Sequence, residues 1–357
     1  MRALAAVPVP DIADDPIRVR AFESGDEARW ERFVEGCESA TFFHRIGWRE
    51  ILESVFRHRC HYLLATRADQ VCGVLPLAEV KTRLFGHALV SLPFCVYGGP
   101  AADDADTEQA LVAAAVELAE TLGVDHLELR NRATKCAGWP RQDLYVTFRK
   151  PISADSDANL LAIPRKQRAM VRKGIARNLR SEIDETPGRF FDLYADNVHR
   201  HGTPPLSRRY FAALLGTFGN SCRILTVCTP DGRAVSSVLS FHFRDEVLPY
   251  YAGDTPDARA LAANDFKYWE LMRRSGEAGV RWFDYGRSKR DSGSYDFKRN
   301  WGFEPSPLSY EYRLLKRSHV PQNNPANARY STLIAVWRRL PRPLVNAIGP
   351  MIVRGLG

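Results

Sequence analysis

The sequence lacks the short motifs that mark the common nucleotide, metal and hydrolase sites. It has no G-x-x-x-x-G-K-[ST] phosphate loop, no G-x-G-x-x-G between a strand and a helix, no G-x-S-x-G and no H-E-x-x-H. His199 and His201 stand without a Cys at ligand spacing, so we expect no metal site. The segment R-R-S-G-E-A (273–278) resembles an acetyl-CoA pyrophosphate loop. We expect it to end a helix, whereas anion binding needs a helix start.

Paired cysteines and long apolar runs are also missing. The seven cysteines are odd in number and form no C-x-x-C pair, which predicts reduced thiols in a cytoplasmic compartment. No apolar run reaches 18 residues, and the first residues contain no apolar core of a signal peptide. We therefore expect a cytoplasmic protein that does not span a bilayer.

Positive charge is in excess. The chain has 357 residues, which suits two domains better than one compact core. It carries 50 Lys and Arg against 42 Asp and Glu, a formal net charge of +8. This excess favours a phosphorylated substrate, a nucleic acid or an acidic membrane surface, without choosing among them.

A weak internal repeat divides the chain. Residues 60–77 and 222–241 both have the pattern of a strand, a turn and a strand. Each hairpin follows predicted helices and precedes a long helix and a short strand, which end in G-V-D-H-L-E-L-R (123–130) and G-V-R-W-F-D-Y-G-R (279–287). Glu128 and Asp284 occupy matching positions, 156 residues apart. The repeat predicts a duplicated α/β (α+β) domain.

A basic helix is predicted at the junction of the two copies, over residues 164–180. Pro164 suits a helix start, and Met170, Val171, Ile175 and Leu179 supply apolar contacts. The arginines share one side, which is either a solvated face or an anion-binding surface in a cleft between domains. These substrate-binding candidates are Arg165, Arg168 and Arg172.

Three segments resemble the FemAB-type family of tandem acyltransferases. They are residues 91–100 (S-L-P-F-C-V-Y-G-G-P), 163–175 and 283–305. The resemblance is closest to FemAB-related proteins associated with exosortase/PEP-CTERM and exopolysaccharide systems. It implies two tandem GNAT-like (acyl-CoA N-acyltransferase-like) domains and transfer of an acyl or aminoacyl group to an amine. The acyl donor, a co-substrate with no tightly bound cofactor, would be acyl-CoA, an acyl carrier protein thioester or an aminoacyl-tRNA.

The resemblance also assigns residues. The family motif F-K-x-x-[FW]-G-F matches residues 297–303, and by that match Lys298 corresponds to a lysine near the reacting carbonyl. A D-x-G…Y-K element matches Asp284, Gly286, Tyr295 and Lys298. We expect Lys298, on a loop after strand 280–284, to face either the oxyanion of the tetrahedral intermediate or a substrate phosphate.

Other candidates come from residue type and position. The catalytic base stays unassigned between Asp284 and His242, although Asp284 could instead pair with Arg287 and His242 could face outward on a strand. Arg287 is itself a binding candidate. Tyr250 and Tyr251, at the end of a predicted strand, are candidates for binding the acceptor. The aromatic residues expected to line the site and exclude water are Tyr295, Phe297 and Trp301.

The predicted organisation is an N-terminal GNAT-like domain over 1–155, a second over 156–320, and an amphipathic tail over 321–357. The tail either docks on the inner face of the membrane or packs on its own domain. We expect an acyltransferase acting on an anionic or lipid-linked precursor of the envelope or of an exopolysaccharide. Alternatives are fatty-acyl transfer from a thioester to a long-chain amine, and a non-catalytic module that binds anions or nucleic acid.

Overall fold

The computed structural model describes residues 15–82, 86–321 and 334–355. The first half forms strands and helices that end before residue 143. They are β1 (Arg18–Ala21), α1 (Glu27–Gly36), α2 (Gly47–Ser54), β2 (Arg59–Cys60), β3 (Leu63–Arg67), β4 (Gln70–Leu75), β5 (Ala78–Thr82), β6 (Gly86–Val90), β7 (Ala101–Ala102), α3 (Ala105–Leu122), β8 (His126–Asn131) and β9 (Arg141–Gln142).

The second half repeats the succession of two helices, a hairpin, a long helix and a short strand, and adds further elements that include a C-terminal helix. Its elements are β10 (Tyr145–Pro151), α4 (Ser156–Ala162), α5 (Arg165–Ala176), β11 (Arg180–Asp184), α6 (Gly188–Arg200), α7 (Arg208–Phe218), β12 (Cys222–Cys228), β13 (Ala234–Phe243), β14 (Glu246–Asp254), α8 (Ala258–Leu261), α9 (Ala263–Glu277), β15 (Trp282–Asp284), β16 (Ser288–Lys289), α10 (Gly293–Asn300), β17 (Pro305–Pro307), β18 (Ser309–Leu314) and α11 (Arg342–Val353). Among the described residues, no helix is both long enough and apolar enough to cross a membrane.

The strands form two sheets in the first unit and one in the second. The first unit has the orders β1-β3-β4-β7 and β2-β5-β6-β8-β18-β9. The second has the order β11-β12-β13-β14-β15-β10-β16, with β17 also paired to β10. The predicted α/β fold and both predicted hairpins, β3–β4 and β12–β13, are confirmed.

The repeat holds at the level of strand register. His126 and Leu127 of β8 pair in parallel with β6, and Trp282 and Phe283 of β15 pair in parallel with β14. These positions show the 156-residue offset found in the sequence. The glycines that follow the two long helices, Gly123 and Gly279, both have a positive φ, which only glycine adopts without strain.

Each unit contributes one strand to the other unit's sheet. Strand β10, at the end of the first half, pairs with β15 of the second unit, with Arg149 opposite Asp284. Strand β18, near the end of the chain, pairs with β8 of the first unit over residues 309–314. The boundary predicted between residues 155 and 156 therefore does not separate the sheets. Each exchanged strand covers a sheet edge that the other half would otherwise leave unpaired.

The junction helix is shorter than predicted. Helix α5 ends at Ala176, because Arg180–Asp184 form β11 and pair with β12. Helix α5 packs on α9, where Gly174 meets the side chain of Phe266. Val171 is fully buried, whereas Ile175, predicted as an apolar contact, is 46% exposed.

The two units share one aromatic core. Phe42 of the first unit stacks on Phe241 of β13 with ring centroids 4.3 Å apart. Arg244, in the turn after β13, donates a 2.7 Å hydrogen bond to the carbonyl oxygen of Cys37. Phe43 also packs against Tyr250 of β14. The first unit thus covers the face of the second sheet that carries Phe241 and Tyr250.

Candidate active site

Strands β14 and β15 separate near the centre of the second sheet. In their parallel pairing, Glu246 lies opposite Trp282 and Val247 opposite Phe283, after which β15 ends at Asp284. Further along β14, a bulge leaves Tyr250 without an opposite residue on β13. Bulges bend a strand and are frequent beside active sites. Beyond Val247 and Phe283 the two strands are no longer paired to each other.

A buried carboxylate lies at the point of divergence. Asp284 is fully buried, and its Oδ2 accepts a 3.0 Å hydrogen bond from the Tyr97 hydroxyl. Its Oδ1 accepts from the Thr147 hydroxyl at 3.2 Å and from the Gly286 main-chain N–H at 2.7 Å. Tyr97 comes from the first unit and Thr147 from β10. This carboxylate therefore joins the two units and orients the chain after β15.

Glu246 supplies a second buried carboxylate, and we call Asp284 and Glu246 the carboxylate pair. It is 9% exposed and accepts a 3.1 Å hydrogen bond from Arg149 Nε. Arg132 Nη2 lies 3.6 Å from both Glu246 Oε1 and Asp284 Oδ2. Burial, and next the nearby charge of Asp284, raise the pKa of Glu246 to about 7. Glu246 can thus take up and release a proton near neutral pH.

Lys298 lies on α10, not on a loop as predicted, and only 8% of it is exposed. Its Nζ donates to the carbonyl oxygens of Tyr285 at 2.7 Å, Gly286 at 3.0 Å and Arg287 at 3.1 Å. These bonds use all the N–H groups of an ammonium. Burial lowers the pKa of Lys298 to about 7, although the charge of Asp284 opposes this. In this structure the lysine holds the segment after β15, and its contact with substrate stays a prediction.

The predicted binding residues Arg287, Tyr250 and Tyr251 each form a hydrogen bond with an aromatic residue. Arg287 donates to the Tyr310 hydroxyl at 3.2 Å and lies over the ring of Tyr145, rather than pairing with Asp284. The hydroxyl of Tyr250 donates to the carbonyl of Phe94 at 2.8 Å. The hydroxyl of Tyr251 lies 3.1 Å from the hydroxyl of Tyr210.

The three aromatic residues predicted to line the site differ in burial. Tyr295 and Phe297 are half-buried on α10, and Tyr295 packs edge-on against Phe148. Trp301 is fully buried, and its Nε1 donates to Asp265 at 3.0 Å. Trp301 is therefore a core residue that anchors α10 to α9, with no exposed surface for a substrate.

His242 lies on the opposite face of the sheet from the carboxylate pair. Side chains alternate along a strand, and its neighbours Phe241 and Phe243 face the shared aromatic core. His242 instead lines a groove of about 560 Å³ beside the C-terminal half of α9. Burial lowers its pKa to about 4. The structure does not bring His242 together with Asp284.

The arginines of α5 are also remote from the pair. Helix α5 forms an outer layer on α9, where Arg165 and Arg172 are exposed. Arg168 donates to the carbonyl of Leu161 at 2.9 Å. The predicted phosphate-loop look-alike at 273–278 falls at the end of α9, as expected.

Sequence reasoning missed Glu246, Arg132, Thr147 and Arg149. Glu246 opens a strand after a turn, which carries no signal of function. Arg149 meets Glu246, and Thr147 meets Asp284, only because β10 joins the second sheet. Arg132, which follows β8, comes from the first unit. Tyr97 fell within the segment 91–100 that carries the FemAB resemblance, so the segment was found but not the residue.

Comparison with known proteins supports the fold. Residues 163–299 match a family described as "Acetyltransferase (GNAT) domain". No curated protein sequence matches the chain. The crystal structure of FemX is similar with a TM-score of 0.67 and 14% identity, covering 84% of this chain and 98% of that chain.

Two further structures are similar over most of their length. The C-terminal domain of a putative lysylphosphatidylglycerol synthetase from Agrobacterium fabrum has a TM-score of 0.55 and 14% identity, covering 87% of this chain and 96% of that chain. A tandem GNAT protein from the clavulanic acid biosynthesis pathway has a TM-score of 0.52 and 13% identity, covering 85% and 100%. The predicted tandem GNAT fold is confirmed, and the match of the second unit to an acetyltransferase domain supports the predicted acyltransferase.

Proposed function

We propose that this protein is an N-acyltransferase that forms an amide between an acyl or aminoacyl group and an amine, with Glu246 as the general base. The observation that carries this proposal is the position of Glu246. Its pKa is raised to about 7, and it lies beside the only fully buried Asp of the described residues, where β14 and β15 diverge. A base with a pKa near the working pH is what deprotonation of an ammonium requires.

The reaction balances with this one base. Glu246 removes a proton from the acceptor ammonium, and the neutral amine attacks the donor carbonyl. A C–N bond forms and the C–S or C–O bond of the donor breaks. The leaving thiolate or alkoxide takes up the second proton of the attacking nitrogen, and Glu246 releases the first to solvent. Tyr97, Thr147 and the Gly286 N–H all donate to Asp284, which fixes the position of its carboxyl group. Arg132, within 3.6 Å of both carboxylates, limits their mutual repulsion.

The start of α9 bears on the choice of donor. Asp265 lies in its first turn, and Lys267 is fully buried and paired with Asp254 at 2.9 Å. A pyrophosphate placed at this helix start would lie beside the carboxylates of Asp265 and Asp254. We therefore favour a carrier thioester or an aminoacyl ester over an acyl-CoA whose pyrophosphate binds at α9.

The acceptor we propose is a precursor of the cell envelope, of an exopolysaccharide or of a lipid. The likeness to FemX and to the lysylphosphatidylglycerol synthetase domain supports aminoacyl transfer to an envelope component. The resemblance to FemAB-related proteins of exosortase/PEP-CTERM systems supports a role beside those systems. We place the reaction in the cytoplasm, at the inner face of the membrane.

The test is a panel of acyl-CoA, acyl carrier protein and aminoacyl-tRNA donors, each with a lipid extract and an amino-sugar mixture, and mass spectrometry to detect new amides. Glu246→Gln should lower kcat by about 10²-fold or more in the arm that gives product. Glu304→Gln, at an exposed position, is the control. Full activity of Glu246→Gln would refute the assignment of the base. Binding of RNA with steep salt dependence, and no turnover in any arm, would instead identify a non-catalytic module.

A further inference from the structure

The C-terminal helix presents two different faces. Val345 is 1% exposed, and Gly349, four residues later, packs against Pro205, so one side of α11 lies on the second unit. The outward side carries Leu344, Ile348, Met351 and Ile352. The tail therefore packs on its own domain and also leaves an apolar face uncovered. Residues 322–333 and 356–357 of the predicted tail lie outside the described residues.

Exposed large apolar side chains are concentrated in this segment. The described residues contain eight of them, and five lie between 336 and 352. Met351 is 76% exposed, the largest fraction of the eight. We name this set the tail face. Its members are Val336, Leu344, Ile348, Met351 and Ile352.

The charge carried by the tail segment itself has one sign. Residues 334–355 contain Arg338, Arg339, Arg342 and Arg354, and no Asp or Glu. Arg342 forms an ion pair with Asp196 of α6. Arg338 and Arg354 donate to the main-chain carbonyls of His201 and Arg57, and these two arginines and Arg339 are all exposed. Apolar residues flanked by arginines are typical of helices that lie in the interface of an anionic bilayer.

Helix α11 is connected to β14 through α6. Helix α6, on which α11 packs, also packs on β14, and Tyr194 of α6 contacts the ring of Tyr251. Val353 packs against the shared aromatic core.

We propose that the tail face docks this protein on an anionic lipid bilayer. Leu344, Ile348, Met351 and Ile352 enter the headgroup region, and Arg338, Arg339 and Arg354 contact lipid phosphates. The acceptor is then a molecule anchored in that bilayer, a step that rests on the proposed function. The docking itself does not depend on it.

The test is co-sedimentation of the full chain with vesicles of phosphatidylcholine, either alone or with about a third phosphatidylglycerol. We expect binding to the anionic vesicles, at least tenfold weaker binding to the neutral ones, and loss of binding in molar salt. The double variant Leu344→Ser/Met351→Ser should bind at least tenfold less. Ile175→Ser/Ile183→Ser, which changes two exposed apolar residues elsewhere, should bind as the parent does.

Charge is tested separately. Arg339→Gln/Arg354→Gln should weaken binding to anionic vesicles, whereas Arg172→Gln, exposed on α5, should not. Equal binding of the Leu344→Ser/Met351→Ser variant and the parent would overturn the proposal. So would a concentration-dependent dimer that this variant abolishes, because the tail face would then be covered by a second copy. Vesicle binding is measured without turnover, so failure here leaves the assignment of Glu246 untouched.

Discussion

Lys298 binds three main-chain carbonyl oxygens on consecutive residues, which makes it a positioning residue in this structure. Its bonds fix the segment 285–287, and the N–H of Gly286 in turn donates to Asp284. A change at Lys298 would therefore reach the carboxylate pair through the main chain. The family motif indicated that this residue is functional, but only the structure shows which atoms it contacts.

We expect Lys298→Met to lower kcat by about tenfold or more, with a smaller change in KM. Met fills similar space but leaves three carbonyl oxygens without a donor, at about 1–3 kcal/mol for each group that stays buried. The melting temperature should fall as well. Arg299→Met, on the exposed side of the same helix, is the control and should leave both quantities unchanged. Wild-type kcat in Lys298→Met would show that the 285–287 segment holds its shape without the lysine.

The pH dependence should report on Glu246. Because its pKa is raised to about 7, the carboxyl is protonated in mild acid and cannot act as a base. We expect kcat/KM to rise with pH to a maximum near 7. Lys298, with its pKa lowered to about 7, loses its charge over the same range and would add a falling limb. In Glu246→Gln the rising limb should vanish; a rising limb that survives would point to another base.

At the scale of elements, much of the second unit could be predicted from sequence. The turn at P-D-G (230–232) marks the β12–β13 hairpin, and helix-ending glycines mark α3 and α9. The placement of β18 could not be predicted, because its partner β8 lies about 180 residues earlier and both are ordinary strands. Lys298 and Asp284 were found through a local motif. Glu246 was missed because its neighbours come from distant segments.

Glu311 shows how firmly β18 is held in the first unit. It is fully buried and accepts hydrogen bonds from Asn131 Nδ2 at 2.6 Å, the Lys135 N–H at 3.0 Å and the Cys136 N–H at 2.9 Å. We expect Glu311→Ala to lower the free energy of unfolding by roughly 3 kcal/mol, since buried donors lose a charged partner. Urea denaturation measures this. Glu304→Ala, on the exposed segment before β17, should change it by less than about 0.5 kcal/mol.

At the scale of the whole molecule, the exchanged strands and the shared aromatic core join the two units. The duplication in the sequence suggests domains that fold separately, each over about 150 residues. The structure shows instead that β10 completes the second sheet and β18 the first. Phe42 and Phe43 of the first unit pack on Phe241 and Tyr250 of the second. Neither half can bury its core alone.

We therefore expect thermal or urea unfolding to occur in one cooperative transition, with the same midpoint by far-ultraviolet circular dichroism and by tryptophan fluorescence. Glu311→Ala weakens β18 in the first unit. It should move the whole transition, because β18 directly follows α10 and β17 of the second unit along the chain. Fragments 15–155 and 156–321 expressed separately should be unfolded or aggregated, since each exposes an unpaired strand edge. Two transitions, with only the first shifted by Glu311→Ala, would show that the units are thermodynamically independent despite the exchange.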